Sequence, residues 1–517
     1  MTSYQRHGPW QLSALHLEGF KAFREYTTIP LRPLTLLFGA NSAGKSTILQ
    51  AMYLLRQSMT ADTPFMHLRL RGPRVIRSFG SFEDLLSHDQ REHRSKLTIG
   101  VSAVMRNAPN DGEQSLYFTS GGPSPTNTDI LRVDRIEVAS EHGTVWTCDD
   151  SSVGARTRTY SLESEDFTSR RRWTPSLDVE HPLIDELWER RGAMDPDRVD
   201  ESDDARFSRF KLPTSSNRES FNRELSSALK ASIRPLASSE VPGLGFFLPI
   251  SWRLKREFSD ETSRYWGAWS EPYFALTGTL GSLLYIPPIR TVPPRDHFVP
   301  ISGERFFMGA ESHVRSVQAW HAWGPEHGPQ EDECRLMENR VNEWLKRLGI
   351  GLEIEWQGLF SHSGPTGVMR AASLGCRRLS GDRRERFMHL SDVGFGVSQI
   401  LPIVVNLLMT ERRLVTIEQP EVHVHPALQA ELGDCLAEAV VKQGHQVICE
   451  THSEHLVLRL QKLVRARKLD PNIVTICCVS KGANGSTEVS EVRLDDDGGM
   501  LGTWPGGFFA ERLNELL

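Results

Sequence analysis

The chain has 517 residues, enough for about three domains and a large core. Its net charge of −6 and pI near 6.3 exclude a global field that draws it to nucleic acid or anionic lipid, so any such contact has to come from local patches. The cysteines (148, 334, 376, 435, 449, 477, 478) are scattered and lack CxxC spacing, which excludes a disulfide framework or a zinc signature and fits a reducing cytosol.

In chain order, the first nine residues carry no apolar signal-peptide stretch, so a cytoplasmic location is expected. The opening reads as strand (13–17), turn (18–23), strand (27–31) and strand (35–38). Residues 39–46, Gly-Ala-Asn-Ser-Ala-Gly-Lys-Ser, then complete a GxxxxGK[ST] phosphate loop. Leu34, Leu36, Leu37 and Phe38 before it predict a buried strand. Ile48, Leu49, Met52, Leu54 and Leu55 after it predict a helix over 46–57. Gly39 and Gly44 let the backbone curl until successive amides face one centre, to which the helix N-terminus adds partial positive charge. Ala40, Asn41, Ser42, Ala43 and Thr47 complete the candidate cradle. Lys45 can reach the β and γ phosphates of ATP, and the Ser46 hydroxyl can sit on Mg²⁺.

Residues 96–162 switch to short alternating segments (97–104, 116–119, 130–138, 145–148, 157–162), the pattern of an antiparallel meander. Residues 163–242 are rich in Ser, Arg, Asp and Glu and read as an insertion, partly helical at 182–191 and 218–233, with a mobile tip at 195–204. Order resumes at 243, with a helix over 331–348 carrying Val341, Trp344, Leu345 and Leu348. The longest apolar run, 400–409, contains Pro402 and Asn406 and is too short to span a bilayer, so no membrane contact is expected. This divides the chain into 1–162, 163–242, 243–480 and a small tail, 481–517.

Three further segments carry chemistry. Residues 414–418 form an apolar strand ending in Glu418, followed by Gln419, Pro420 and Glu421; Glu418 can hold the Mg²⁺ shell directly or through water. His452, in Thr451-His452-Ser453 at the end of another strand, is placed to sense a γ-phosphate. Residues 390–399 put Ser391, Gly394, Gly396, Ser398 and Gln399 ahead of an apolar helix, either a plain cap or a second anion-binding N-terminus for a partner chain's nucleotide. His423 and His425, without a third ligand, make a poor zinc site and read as a turn that packs between protomers. Asp495-Asp-Asp497 reads as a β-turn.

Phe20-Lys-Ala-Phe23, the phosphate loop, residues 391–399, the 417–426 segment and Thr451-His-Ser453 occur in this order in ABC-type ATPases. The set resembles the SMC, RecF and OLD-like branch, in which an insertion separates the two halves of one head. The closing Trp504-Pro-Gly-Gly-Phe-Phe resembles the tail of a bacterial OLD-like subgroup. The resemblance covers roughly 10–100 and 280–517. It implies an α/β fold: an ABC-type P-loop ATPase head with a mixed central sheet, an antiparallel β lobe and a helical or mobile insertion. It also implies that two heads sandwich ATP, with Ser391 to Ser398 and Gln399 reaching the opposite protomer's nucleotide. One position departs from the pattern. Gln419 stands where many relatives have a catalytic glutamate; glutamine orients a water but cannot take its proton. Either turnover is slow or Glu421 acts as base.

Three functions follow. The first is an ATP-driven switch, a homodimer or larger homo-oligomer controlling a separate effector such as a nuclease subunit, as in Septu-type anti-phage ATPases. With one acidic cluster after His452, no nuclease centre is expected within the chain. The second is a RecF-like ATPase that binds DNA through Arg69, Arg71, Arg74 and Arg77, Arg170 to Arg172, and Arg377, Arg378, Arg383, Arg384 and Arg386. The third is a scaffold that ATP assembles without turnover.

Overall fold

The computed structural model describes residues 10–58, 67–71, 77–87, 96–105, 113–123, 130–140, 143–150, 173–177, 217–224, 278–290, 299–300, 331–361, 368–378, 387–389, 392–393, 395–409, 412–482 and 485–502. The expected strand at 157–162, helix at 182–191 and tip at 195–204 lie outside them, as do Ser391, Gly394 and the 504–511 tail.

Strand Leu34–Gly39 sits in the middle of a seven-stranded mixed sheet. Leu34, Leu36 and Phe38 enter one apolar core and Leu37 the other, so a strand buried on both faces reads as an unbroken apolar run. Gln446–Glu450 and Val474–Lys481 flank it in parallel; Leu414–Glu418 and then Leu284–Ile286 continue beyond the first. The two halves separated in sequence therefore share one sheet. Residues 481–502, expected to begin a separate tail, instead add antiparallel strands Thr487–Leu494 and Met500–Leu501 to its far edge. Burial of Thr487, Val492 and Leu494 ties them to that edge.

The expected antiparallel lobe is a second seven-stranded sheet. Its order is Trp173–Leu177, Gly143–Asp150, Arg135–Ser140, Gln114–Ser120, Leu97–Met105, Trp10–Glu18 and Thr27–Pro30. Residues 130–138, expected as one strand, are two, Ile130–Arg132 and Arg135–Ser140. The chain turns at Asp134, whose carboxylate accepts from the Gly121 amide (2.7 Å) and whose own amide donates to the Thr119 carbonyl (2.8 Å). Trp173–Leu177, within the stretch expected as a partly helical insertion, is a strand. Pro175 lacks an amide hydrogen and is tolerated because this strand lies at the sheet edge. Residues 218–224 of the insertion are helical, with the Asn217 side chain accepting from the Glu219 amide (2.8 Å).

Helix Lys45–Ser58 lies in the core shared by the two sheets, with Ile48, Leu49, Met52 and Leu55 packed against residues of both. The second core holds the apolar faces of helices Glu331–Arg347, Phe395–Leu407, Pro426–Val441 and Glu454–Arg465. Gln446 pins lobe to central sheet: its Nε2 donates to the Leu12 carbonyl (2.7 Å) and its Oε1 accepts from the Leu12 amide (3.0 Å). Cys477 and Cys478 are buried and free, as expected of core thiols. Among the described residues no helix is long and apolar enough to cross a membrane.

Candidate nucleotide-binding site

The phosphate loop has the backbone its glycines permit. Gly39 adopts φ 148° and Gly44 φ 119°, and between them Ser42 adopts φ 62°. A Cβ at Gly39 would come within 2.1 Å of the Val479 carbonyl oxygen, so no other residue fits there. The loop rests on the last strand pair: Thr487 Oγ1 donates to the Ala43 carbonyl (2.8 Å) and accepts from Lys481 Nζ (3.0 Å). Ala40, Asn41 and Ser42 face solvent.

Lys45 is buried, and its ammonium donates to the carbonyls of Gly39 (3.0 Å) and Ala40 (2.8 Å). Burial lowers its pKa, while Glu450 and Glu421 pull it back up. Ser46 Oγ donates to Glu450 Oε1 (3.0 Å). Strand Gln446–Glu450, which carries this acid, lies between the loop strand and Leu414–Glu418, and Glu450 pairs directly with Glu418 in the parallel register. The strand ending in Glu418 is thus separated from the loop strand by Gln446–Glu450, and the acid at the Ser46 hydroxyl is Glu450. Like Glu418, Glu450 stands at the end of an apolar strand, and that pattern is the sequence signal for it.

Glu418 is 6% exposed. It accepts from the Tyr53 hydroxyl (3.4 Å) and lies 3.7 Å from an Arg77 guanidinium nitrogen. Burial first and the neighbouring Glu450 second push its pKa up to about 7. Burial likewise raises Glu450, opposed by the Ser46 hydroxyl and Lys45. Arg77 is delivered to the site by the loop helix, whose Gln57 side chain accepts from the Arg77 amide (3.2 Å).

Gln419 adopts φ 44°, with its amide donating to the Glu450 carbonyl (2.8 Å), so the chain turns sharply right after the acid strand. Glu421, one candidate base, is committed to the next strand's end: it accepts from Thr451 Oγ1 (2.8 Å) and from the His452 amide (2.7 Å). His452 thereby stands beside the loop. Its Nε2 is buried without a hydrogen-bond partner among the described residues, and burial together with Lys45 lowers its pKa. His423 is exposed at φ 62°, and His425 caps helix Pro426–Val441 by accepting from the Ala427 amide (3.3 Å), so this segment is a turn.

The 391–399 segment needs correction at one residue. Gln399 was expected to reach a partner's nucleotide, but it is fully buried and turned inward: its Nε2 donates to the Arg290 carbonyl (2.7 Å) and its Oε1 accepts from the Arg290 amide (3.1 Å). Ser398 is buried beside it and Gly396 is partly exposed. Arg290, which no sequence pattern marked, is fully buried and donates to the carbonyls of Glu418 (3.1 Å) and Gln419 (3.2 Å). Burial lowers its pKa to about 10. Of the arginines proposed for DNA, Arg77 pairs with Glu418 and Arg71 Nε donates to the Phe79 carbonyl (3.0 Å), while Arg74, Arg170 to Arg172, Arg383, Arg384 and Arg386 lie outside the described residues.

These residues fit ATP and magnesium. Mg²⁺ takes one or two carboxylates with phosphate oxygens and waters, which matches Ser46, Glu418 and Glu450. Glu450 Oε2 is buried and has no hydrogen-bond partner among the described residues. There is likewise no ready cage of three or more His, Cys, Asp or Glu side chains among them.

No curated protein sequence matches the chain. The solved structures similar to the chain include three SMC heads. One, bound to the C-winged helix domain of ScpA, is 11% identical, covers 93% of this chain and 98% of its own, and has a TM-score of 0.38. Another, with an extended coiled coil and bound to the C-terminal domain of ScpA from Pyrococcus furiosus, is 11% identical over 98% of both chains, with a TM-score of 0.40. The head from Thermotoga maritima is 10% identical over 93% of this chain and 98% of its own, with a TM-score of 0.35. Residues 11–100 and 339–457 match the model of the AAA ATPase domain family, and these two segments include the phosphate loop, both strand-end glutamates and His452.

Proposed function

We propose that this protein is an ATP-driven switch: it binds ATP·Mg²⁺ at residues 39–47, two copies close over the nucleotides, and the closed form controls a separate effector. The observation that supports nucleotide binding most directly is the gathering beside the phosphate loop of Lys45 and Ser46 from the loop helix, Glu450 and His452 from the end of one strand, and Glu418 from the end of its neighbour. Magnesium, when bound, neutralises phosphate charge; the chain's own groups position it and the triphosphate. The start of helix Phe395–Leu407, where Gly396 is partly exposed, is the proposed surface for the second copy's nucleotide together with Ser391 and Gly394, while Ser398 lies buried behind it. The effector class, a nuclease subunit in bacterial anti-phage defence, comes from the resemblance to Septu-type ATPases alone. This reading is preferred to direct DNA clamping because Arg77 and Arg71 are held by the protein itself.

Size determination by light scattering tests it. The wild type is expected to double its mass with ATP·Mg²⁺ and remain unchanged with Mg²⁺ alone, while Lys45→Ala stays at the apo mass under both conditions. A mass that ignores ATP in the wild type refutes the sandwich.

A further inference from the structure

We infer that Glu450 is the acid that supports the divalent cation together with Ser46, so that this site carries its two acids at the ends of neighbouring strands rather than in succession on one strand. The inference rests on the ATP-binding reading above and gives Glu450 a specific role within it.

Four observations carry it. Glu450 is 3% exposed, yet it lies at a strand end rather than among apolar side chains with no purpose for a charge. One of its oxygens accepts from the hydroxyl of Ser46, the loop residue whose chemistry suits the metal. The other oxygen has no partner among the described residues, and a buried acceptor left alone is costly unless a ligand takes it. Its strand is the immediate neighbour of the loop strand, whereas the strand of Glu418 is one further away. The alternatives are already engaged or lack charge: Glu421 holds Thr451 and the His452 amide, and position 419 is a glutamine.

The arrangement divides the work. Glu450 faces the loop and Ser46. Glu418 stands behind it against Tyr53 and Arg77, which keep it oriented. The pair straddles two strands whose register fixes their Cα atoms side by side, so neither acid can be moved along its strand without shifting the sheet.

The test measures metal dependence without turnover. Titration calorimetry with the non-hydrolysable analogue AMP-PNP, in Mg²⁺ and in EDTA, is run on wild type, Glu450→Gln and Glu418→Gln; Mn²⁺ electron paramagnetic resonance reports bound metal independently. In the wild type Mg²⁺ should tighten AMP-PNP. Glu450→Gln should keep the affinity seen in EDTA and lose about 10- to 100-fold of the metal-dependent gain, with a matching loss of bound Mn²⁺. Retained affinity in EDTA also shows that the variant folds; if that affinity is lost, Glu450→Asp, which keeps the charge, should restore both readouts. A Glu450→Gln protein with the full metal-dependent gain overturns the inference, as does failure of Glu450→Asp to restore either readout. A wild type that binds AMP-PNP equally with and without metal also overturns it while leaving nucleotide binding intact. A wild type that binds none at all overturns the reading underneath.

Discussion

Lys45 is the residue on which the proposed nucleotide binding depends most. Its ammonium is held over the loop by two backbone carbonyls at 3.0 and 2.8 Å, neutral acceptors that a triphosphate outcompetes. Lys45→Ala is therefore expected to lower ATP affinity by about 10- to 100-fold, read by calorimetry, since charge-assisted hydrogen bonds contribute about 1.5–3 kcal/mol each. Gln419 is the opposite case, a side chain that has lost a proton acceptor. Glu421, the other candidate base, accepts hydrogen bonds from Thr451 and the His452 amide. Gln419→Glu should raise single-turnover hydrolysis by about 10²-fold or more, the usual worth of a general base. A wild type as fast as this variant shows that another group already does the work.

Two elements are held by polar groups that are buried deeply enough to matter. Arg290 ties helix Phe395–Leu407, through Gln399, to the carbonyls at the end of strand Leu414–Glu418. That bridge links the surface proposed for the second copy to the acid strand of the first. Arg290→Met removes the donor from both carbonyls and should lower unfolding stability in urea by about 1–3 kcal/mol, the cost of orphaned buried acceptors. In the antiparallel lobe His16 is buried between strands, with Nε2 2.7 Å from Ser102 Oγ and Nδ1 3.0 Å from the Tyr26 hydroxyl. Burial lowers its pKa from 6.5 to about 4, so the fold holds it neutral. Its stabilising effect is complete above pH 6.5. Below that the unfolded chain takes up a proton that the fold refuses, and stability falls until about pH 4. The expected loss from this group at pH 5 is about 2 kcal/mol relative to pH 7. Urea midpoints of wild type and His16→Asn at both pH values check it: the wild type should lose more.

At the scale of the molecule, the central sheet is assembled from segments beginning at Leu284, Leu34, Leu414, Gln446, Val474 and Thr487, so the phosphate loop is complete only when both ends of the chain have folded together. The final strand pair supports the loop directly through Thr487. The switch, DNA-binding and scaffold readings separate at this level. A salt titration of duplex DNA binding is expected to give a shallow slope of log affinity against log salt; a slope steeper than about −5 indicates several phosphate contacts and favours the DNA reading. ATP-dependent assembly with no turnover favours the scaffold.

Local pattern alone determined the strand–loop–helix around Lys45, the meander and the end of the acid strand, because glycine spacing, period-two burial and helical apolar spacing are all properties of a few neighbouring residues. The same locality explains where the structure departs from the sequence pattern. Asp134 breaks a strand through a bond to Gly121, Trp173–Leu177 is a strand because it finds a sheet edge, and Gln399 turns inward because Arg290, 109 residues earlier, meets it. Only the tertiary structure could order the strands, and that order decides which carboxylate faces Ser46. Strand order is set by contacts between segments hundreds of residues apart, and no window of sequence contains them.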